Sequence, residues 1–142
     1  MNLNKTHNIL GVDYGSVRVG LATLNLDTKF AAPYKTITND DNLFPTIATI
    51  IKDENIAKVI VGYPRNLNGD KTAQTLEVEK FIENLKSGAT IEVQLQDEAL
   101  TSVKAKELLN SQKKQYNKEE IDALAAALIL EDYITELKGD EV

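Results

Sequence analysis

Three acidic positions stand out because their surroundings give them little structural work. Asp13 lies in "GVDYGSVRVGLA" (11–22), between two strand-like apolar runs. Asp122 is the single ionisable residue of the ten in "IDALAAALIL", a stretch apolar nearly all round a helix and so buried on most sides. Asp97 and Glu98 follow the alternating run "TIEVQLQ", at the strand end where sites gather in open α/β sheets. Neighbours in a strand point to opposite faces, so at most one of these two joins Asp13 directly. A carboxylate among apolar groups is costly unless paired or metal-bound, and clustered carboxylates repel one another. Mg²⁺ or Mn²⁺ resolves the conflict, since both take oxygen ligands and keep positions for water and phosphate. The chemistry expected of such a cluster is metal-assisted reaction at a phosphate.

Each acid also has a plainer reading. With Gly15-Ser16 as a two-residue turn, Asp13 pairs across from Arg18 and Gly11 from Gly20. Arg18 then neutralises Asp13, and the glycines let a helix pack closely on the sheet. The same glycines equally clear room for a bulky anion beside the carboxylate, and these twelve residues leave both readings open. Asp122 as a partner of the helix dipole is the weaker alternative: with Asn117 as N-cap it is the fifth helical residue, beyond the turn where that effect concentrates. Asp97 and Glu98, taken alone, read equally as solvated acids before a helix. If Asp122 belongs to a cluster, its charge is a burden without a cation, and Asp122→Asn is expected to leave the metal-free protein at least as stable. His7 reads as a surface residue. The absence of cysteine excludes disulfides, thiolate metal sites and a cysteine nucleophile, and with no well-placed histidine beside it argues against zinc chemistry.

The elements that must hold these residues follow from periodicity. "NILGVDY", "VRVGLATL" and "FAAPYKTIT" read as an antiparallel meander, with Pro33 pushing the third strand to an edge or a bulge. Leu43, Ile47, Ile50 and Ile51 carry the stripe of a first helix. "AKVIVGY" is a strand covered on both faces, ending at the turn-forming "PRNLNGD". Val78, Phe81, Ile82 and Leu85 mark a second helix. In "TIEVQLQ", Ile91, Val93 and Leu95 share one side. Thr101 or Ser102 caps a third helix through about Asn110, and Asn117 with Glu120 opens a fourth. The order β-β-β-α-β-α-β-α-α, with right-handed crossovers, predicts an α/β fold: a mixed five-stranded sheet, three antiparallel strands then parallel additions, with helices on both faces.

The 142 residues are expected to form one domain, 1–142, with an acidic tail over about 136–142. No apolar run of a signal peptide or membrane span is present, which predicts a cytoplasmic location and no membrane partner. A net charge of −6 argues against a uniformly basic coat for nucleic acid. The lysines at 104, 106, 113, 114 and 118, set against Glu107 alone, make a local basic stretch. It reads as a solvated helix face or as a phosphate-facing patch.

Four motifs in this order, "GVDYGSVRVGLA", "VIVGYPRNLNG", "QDEALTSVKA" and "EIDALAAALILEDY", resemble the YqgF family of Holliday-junction-resolvase-like proteins, nucleases ascribed to pre-16S rRNA, in the RNase H-like superfamily. The similarity runs from Ile9 to Tyr133. It implies that Asp13, Glu98 and Asp122 are an acidic triad, both catalytic and metal-holding, for Mg²⁺ or Mn²⁺. It also implies that the Pro64–Gly69 loop and Thr72 border the substrate path. Arg18, Arg65, Asn68, Thr72 and Lys104 are the expected substrate-binding residues. The implied activity is divalent-metal-dependent cleavage of phosphodiester bonds in 5′-end processing of pre-16S rRNA. The implied partners are structured RNA or branched DNA and pre-ribosomal particles. Two departures mark this chain: Ala99 stands where the family commonly has Arg, and Tyr63 where Leu is more usual. An ATPase of the actin and sugar kinase type shares the phosphate-loop look of "DYGSVRVG" but closes two such lobes over its nucleotide. A non-catalytic nucleic-acid-binding assembly factor is the remaining alternative.

Overall fold

The structure, a computed structural model, describes residues 7–66, 68–88, 90–97 and 117–140, the side chains of 138–140 excepted. Its strands are β1 (Asn8–Tyr14), β2 (Arg18–Asn25), β3 (Phe30–Thr38), β4 (Ile56–Tyr63) and β5 (Glu92–Asp97). Its helices are α1 (Leu43–Asp53), α2 (Ala73–Gly88) and α3 (Lys118–Asp140). The strands form one sheet in the order β3-β2-β1-β4-β5, antiparallel across the first three and parallel from β1 to β4 to β5. The expected mixed sheet is therefore present. The helix expected from 101 to about 110 lies outside the described residues.

Alternation in the strands divides the core in two. Leu10 and Val12 of β1, Val19 and Leu21 of β2 and Val59 and Val61 of β4 pack under α1 and α2, which contribute Ile47, Ile50, Val78, Phe81 and Leu85. Ile9, Ala22, Leu24 and Ile60, from the opposite face, pack under Ala126, Ile129, Leu130 and Tyr133 of α3. Both faces of the sheet are thus covered, as the continuous apolar run of β4 requires. Pro33 sits on the edge strand β3 beside a register shift opposite Leu21/Ala22, where a missing N–H interrupts no central ladder. Pro45 falls in the first turn of α1, where it removes no helical bond.

Two local expectations are corrected. Asp13 pairs with Gly20 and Gly11 with Ala22, so the link between β1 and β2 is longer than a two-residue turn and Arg18 does not face Asp13. In β5, Leu95 is 45% exposed and Gln96 is 2% exposed. Ile91 and Val93 pack on the core as expected, but on this edge strand the cover over their face does not reach Leu95 among the described residues.

Candidate active site

The β1–β2 link is held from the third strand's end. Asn39 donates through Nδ2 to the Gly15 carbonyl at 2.8 Å, and through its backbone N–H to Val17 at 2.9 Å. This fixes a turn that lines a cleft of about 450 Å³ together with Asp13, Arg18, Gln74, Glu77 and Asp122. Asp13 reaches it because β1 places it in phase with Ile9 and Gly11, on the α3 face, where it is 7% exposed. Asp122 reaches it because Asn117 starts α3: its Oδ1 accepts from the Glu120 N–H at 2.8 Å and its carbonyl from the Ile121 N–H at 3.1 Å. Two acids 109 positions apart in sequence thus border one space.

The approach of α3 to the sheet depends on missing side chains. A Cβ on Gly20 would lie 2.0 Å from the Asp122 carbonyl oxygen, and one on Gly11 would lie 2.5 Å from Leu130 Cγ. Of the two readings of these glycines, close helix packing is the one present, and Gly20 sets Asp122 against β2.

Arg18 projects to α3. Its Nε donates to Asp122 Oδ2 at 2.6 Å, with side chains 33% and 15% exposed. The bond to Asp122, reinforced by its charge, raises the Arg18 pKa above its ordinary value. The acid is therefore not an uncompensated burden, and the expectation that Asp122→Asn stabilises the metal-free protein no longer follows. Spacing along β1 and β2 offered no sign of a partner more than a hundred residues away.

The other expected residues are placed as follows. Arg65 follows β4, 5.0 Å from the Tyr63 ring centroid and 3.4 Å from Asp97 Oδ1. Asp97 thereby pairs outward with an exposed guanidinium. Asn68 belongs to a self-contained turn in which Asn66 Oδ1 accepts from the N–H groups of Asn68 and Asp70 at 3.0 and 2.9 Å, with Gly69 at φ 83°. Thr72 caps α2: its Oγ1 accepts from the Thr75 N–H at 3.3 Å. Fully buried Thr75 in turn donates to the Pro64 carbonyl, which ties the loop to the helix start. Neither Arg65, Asn68 nor Thr72 lines the cleft. Glu98, Ala99 and Lys104 lie outside the described residues, as does the basic stretch except Lys118.

Glu77 and Gln74 border the cleft from α2 and were not anticipated. Val78, Phe81, Ile82 and Leu85 marked the buried stripe of that helix, and nothing in the sequence distinguishes Glu77 from its other exposed acids. The lining carries three carboxylates and one guanidinium. This excess of hard, negative oxygen donors suits Mg²⁺ or Mn²⁺. Among the described residues no three acidic or histidine side chains lie close enough to hold an ion by themselves. Mg²⁺, which keeps several waters, is commonly held by one or two carboxylates, so Asp13 and Asp122 fit it.

A family model described as RuvX, Holliday junction resolvase, matches residues 7–136. A protein of Sulfurihydrogenibium sp. (strain YO3AOP1) named "Putative pre-16S rRNA nuclease" is 37% identical over 131 residues, covering 91% of this chain and 90% of its own. One of the same name from Thermoanaerobacter pseudethanolicus is 36% identical over 136 residues, covering 92% and 98%. Among solved structures, Thermus thermophilus RuvC in complex with a Holliday junction substrate superposes with a TM-score of 0.57 at 15% identity, over 92% of this chain and 96% of that one. The yeast mitochondrial Holliday junction resolvase gives 0.53 at 13% identity, over 89% and 77%. These two establish the shared fold. With a family match across nearly the whole chain and relatives above one-third identity, this chain belongs to the RuvX family of Holliday-junction-resolvase-like proteins.

Proposed function

We propose that this protein is a divalent-metal-dependent nuclease that hydrolyses phosphodiester bonds in structured RNA, at the 5′ end of pre-16S rRNA within pre-ribosomal particles. The observation that carries the reading is the convergence of Asp13 and Asp122 on one acid-rich cleft in a chain of this family. Asp13, Asp122 and Glu98 would hold Mg²⁺ or Mn²⁺, which when bound supplies an activated water and charge stabilisation at the phosphate. Arg18 fixes the orientation of Asp122 through one carboxylate oxygen and leaves the other without that bond. Gly20 sets the depth of Asp122 by letting its backbone rest on β2. Arg65, Asn68 and Thr72 would meet the phosphate backbone outside the cleft and, with Lys104, contribute affinity rather than chemistry.

A second reading keeps this chemistry and changes the substrate to a branched DNA, and the family description favours it. Incubation of the protein with a pre-16S 5′-leader RNA and with a four-way DNA junction, in Mn²⁺ and in EDTA, separates the two. Metal-dependent cutting of the RNA alone is expected. Asp13→Asn and Asp122→Asn should each lose cleavage by orders of magnitude while retaining binding. Cleavage in EDTA, or undiminished cleavage by either variant, refutes the assignment.

A further inference from the structure

A second cavity, about 420 Å³, adjoins the acidic cleft, and Tyr14, Ser16 and Glu77 line both. Its aromatic side is a stack of three rings. Phe81, buried in the core, lies between Tyr14, at 4.6 Å between centroids and 30° between planes, and Phe44, at 5.7 Å and 26°. Phe44 is 38% exposed, so part of its ring is open to the cavity's surroundings. Lys80 and Asn84, one helical turn apart on α2, border the same space. Neither side chain makes a hydrogen bond or ion pair among the described residues.

We infer that this cavity receives an unpaired nucleobase of the polynucleotide whose backbone occupies the cleft. The inference rests on the nuclease reading and extends it to the substrate's shape. Stacking on aromatic rings is a sequence-tolerant way to hold a base, and the Asn84 carboxamide offers both a donor and an acceptor to a base edge. Charge favours the base over the phosphate, since two acids outnumber Lys80 on the lining. Asp40 and Glu77 line the cavity and oppose a phosphate there, whereas a base is neutral. Lys80 then serves the phosphate beyond it. Continuity through Tyr14 and Ser16 makes the occupant a neighbour of the reacting phosphate, so the selected substrate carries a splayed nucleotide beside the cut, as at a loop or the end of a duplex.

The test uses an RNA hairpin with 2-aminopurine in its unpaired flank, a fully paired control and free AMP, all in EDTA so that binding is read without cleavage. Wild-type protein should change the fluorescence of the unpaired probe. Phe44→Ala and Asn84→Ala should each weaken its binding about 5- to 10-fold and leave the paired control unaffected, and AMP should not displace the probe from the wild type. Asn84 is exposed and outside the core, so its variant remains informative if Phe44→Ala folds poorly. Equal binding of the probe by both variants and wild type, or displacement by AMP, overturns the inference. Failure of the nuclease reading shows separately, as absence of Mn²⁺-dependent cutting by a wild type that still gives the fluorescence change.

Discussion

Replacing Gly20 by alanine adds one methyl group at the point where α3 meets the sheet. That methyl would stand 2.0 Å from the Asp122 carbonyl oxygen, 2.4 Å from its carbonyl carbon and 3.1 Å from the Ala123 nitrogen. All three are main-chain atoms and none can rotate away. Ordinary contact begins near 3.4 Å, so the helix must retreat by more than 1 Å, and the layer of Ala126, Leu130 and Tyr133 loosens with it. Overpacking of this kind costs about 1–3 kcal/mol, here toward the upper end. The smaller entropy of the unfolded alanine chain returns roughly 0.4–1 kcal/mol. A net loss of about 2 kcal/mol lowers the melting temperature of a chain this long by roughly 4–8 °C. Cleavage should fall further than stability, because the same retreat carries Asp122 away from Asp13. Gly11→Ala is the internal comparison. Its nearest obstacles, at 2.5 and 2.9 Å, belong to the buried Leu130 side chain, and the nearest main-chain atom, the Ala126 carbonyl oxygen, lies at 3.0 Å rather than 2.0 Å, so its cost should be smaller and its cleavage less affected. Urea and thermal melts, with cleavage assayed well below both midpoints, read the two effects. A Gly20→Ala protein that melts with the parent and cuts normally refutes the close-packing account.

Thr75→Val removes the donor to the Pro64 carbonyl and a bond to Thr72 at 2.9 Å; a buried group left without a partner costs about 1–3 kcal/mol, measurable in urea, and proteolysis should reach the Pro64 loop sooner. Burial pulls the Lys58 pKa down, but hydrogen bonds to Tyr133 and Glu92 outweigh it and the net direction is up. That stabilisation is present below the ordinary lysine value near 10.5 and is lost as pH rises through the folded value, so Lys58→Met should flatten the alkaline limb of a melting-temperature profile. Glu79 is the acid counterpart, with a pKa lowered by Lys71 first and Tyr63 second. Its contribution is present above the ordinary 4.5 and is lost as pH falls through the folded value, so Glu79→Gln should reduce the acid sensitivity below about pH 4.5.

Periodicity revealed the elements because burial dictates it: the stripes at Leu43, Ile47 and Ile50 and at Val78, Phe81, Ile82 and Leu85 are the buried faces of α1 and α2. It could not decide the β1–β2 register. The observed pairing of Asp13 with Gly20 differs from the expected pairing with Arg18 by two residues, and a two-residue slip returns every side chain to its face. Both registers satisfy the same hydropathy pattern, and only the docking of α3 on Gly20 and Gly11 distinguishes them. That Asp122 needs a partner was legible because it is isolated in an apolar run; that Asp13 borders the same cleft was expected only from reading the acids together and from the family resemblance, since the stretch around Asp13 left both readings open. Glu77 was not legible, since an exposed polar side chain leaves no periodic trace, and the pairing of Arg18 with Asp122 was not, since periodicity along one element does not reveal a partner 104 positions away. Gln96 was missed because alternation records which residues favour burial, not how far an edge strand is covered.

The tie between Arg18 and Asp122 crosses 104 positions of sequence. During synthesis at about 5–20 residues per second, roughly 5–20 s separate the appearance of Asp13 from that of Asp122. Throughout that interval β1 and the turn after it exist without the acid that completes their cleft. On the proposed assignment of Asp13 and Asp122, catalytic competence would arrive only when α3 docks. A nuclease assembled in this order would be silent while it is being made, and a chain cut short before α3 would carry the first proposed carboxylate without the second.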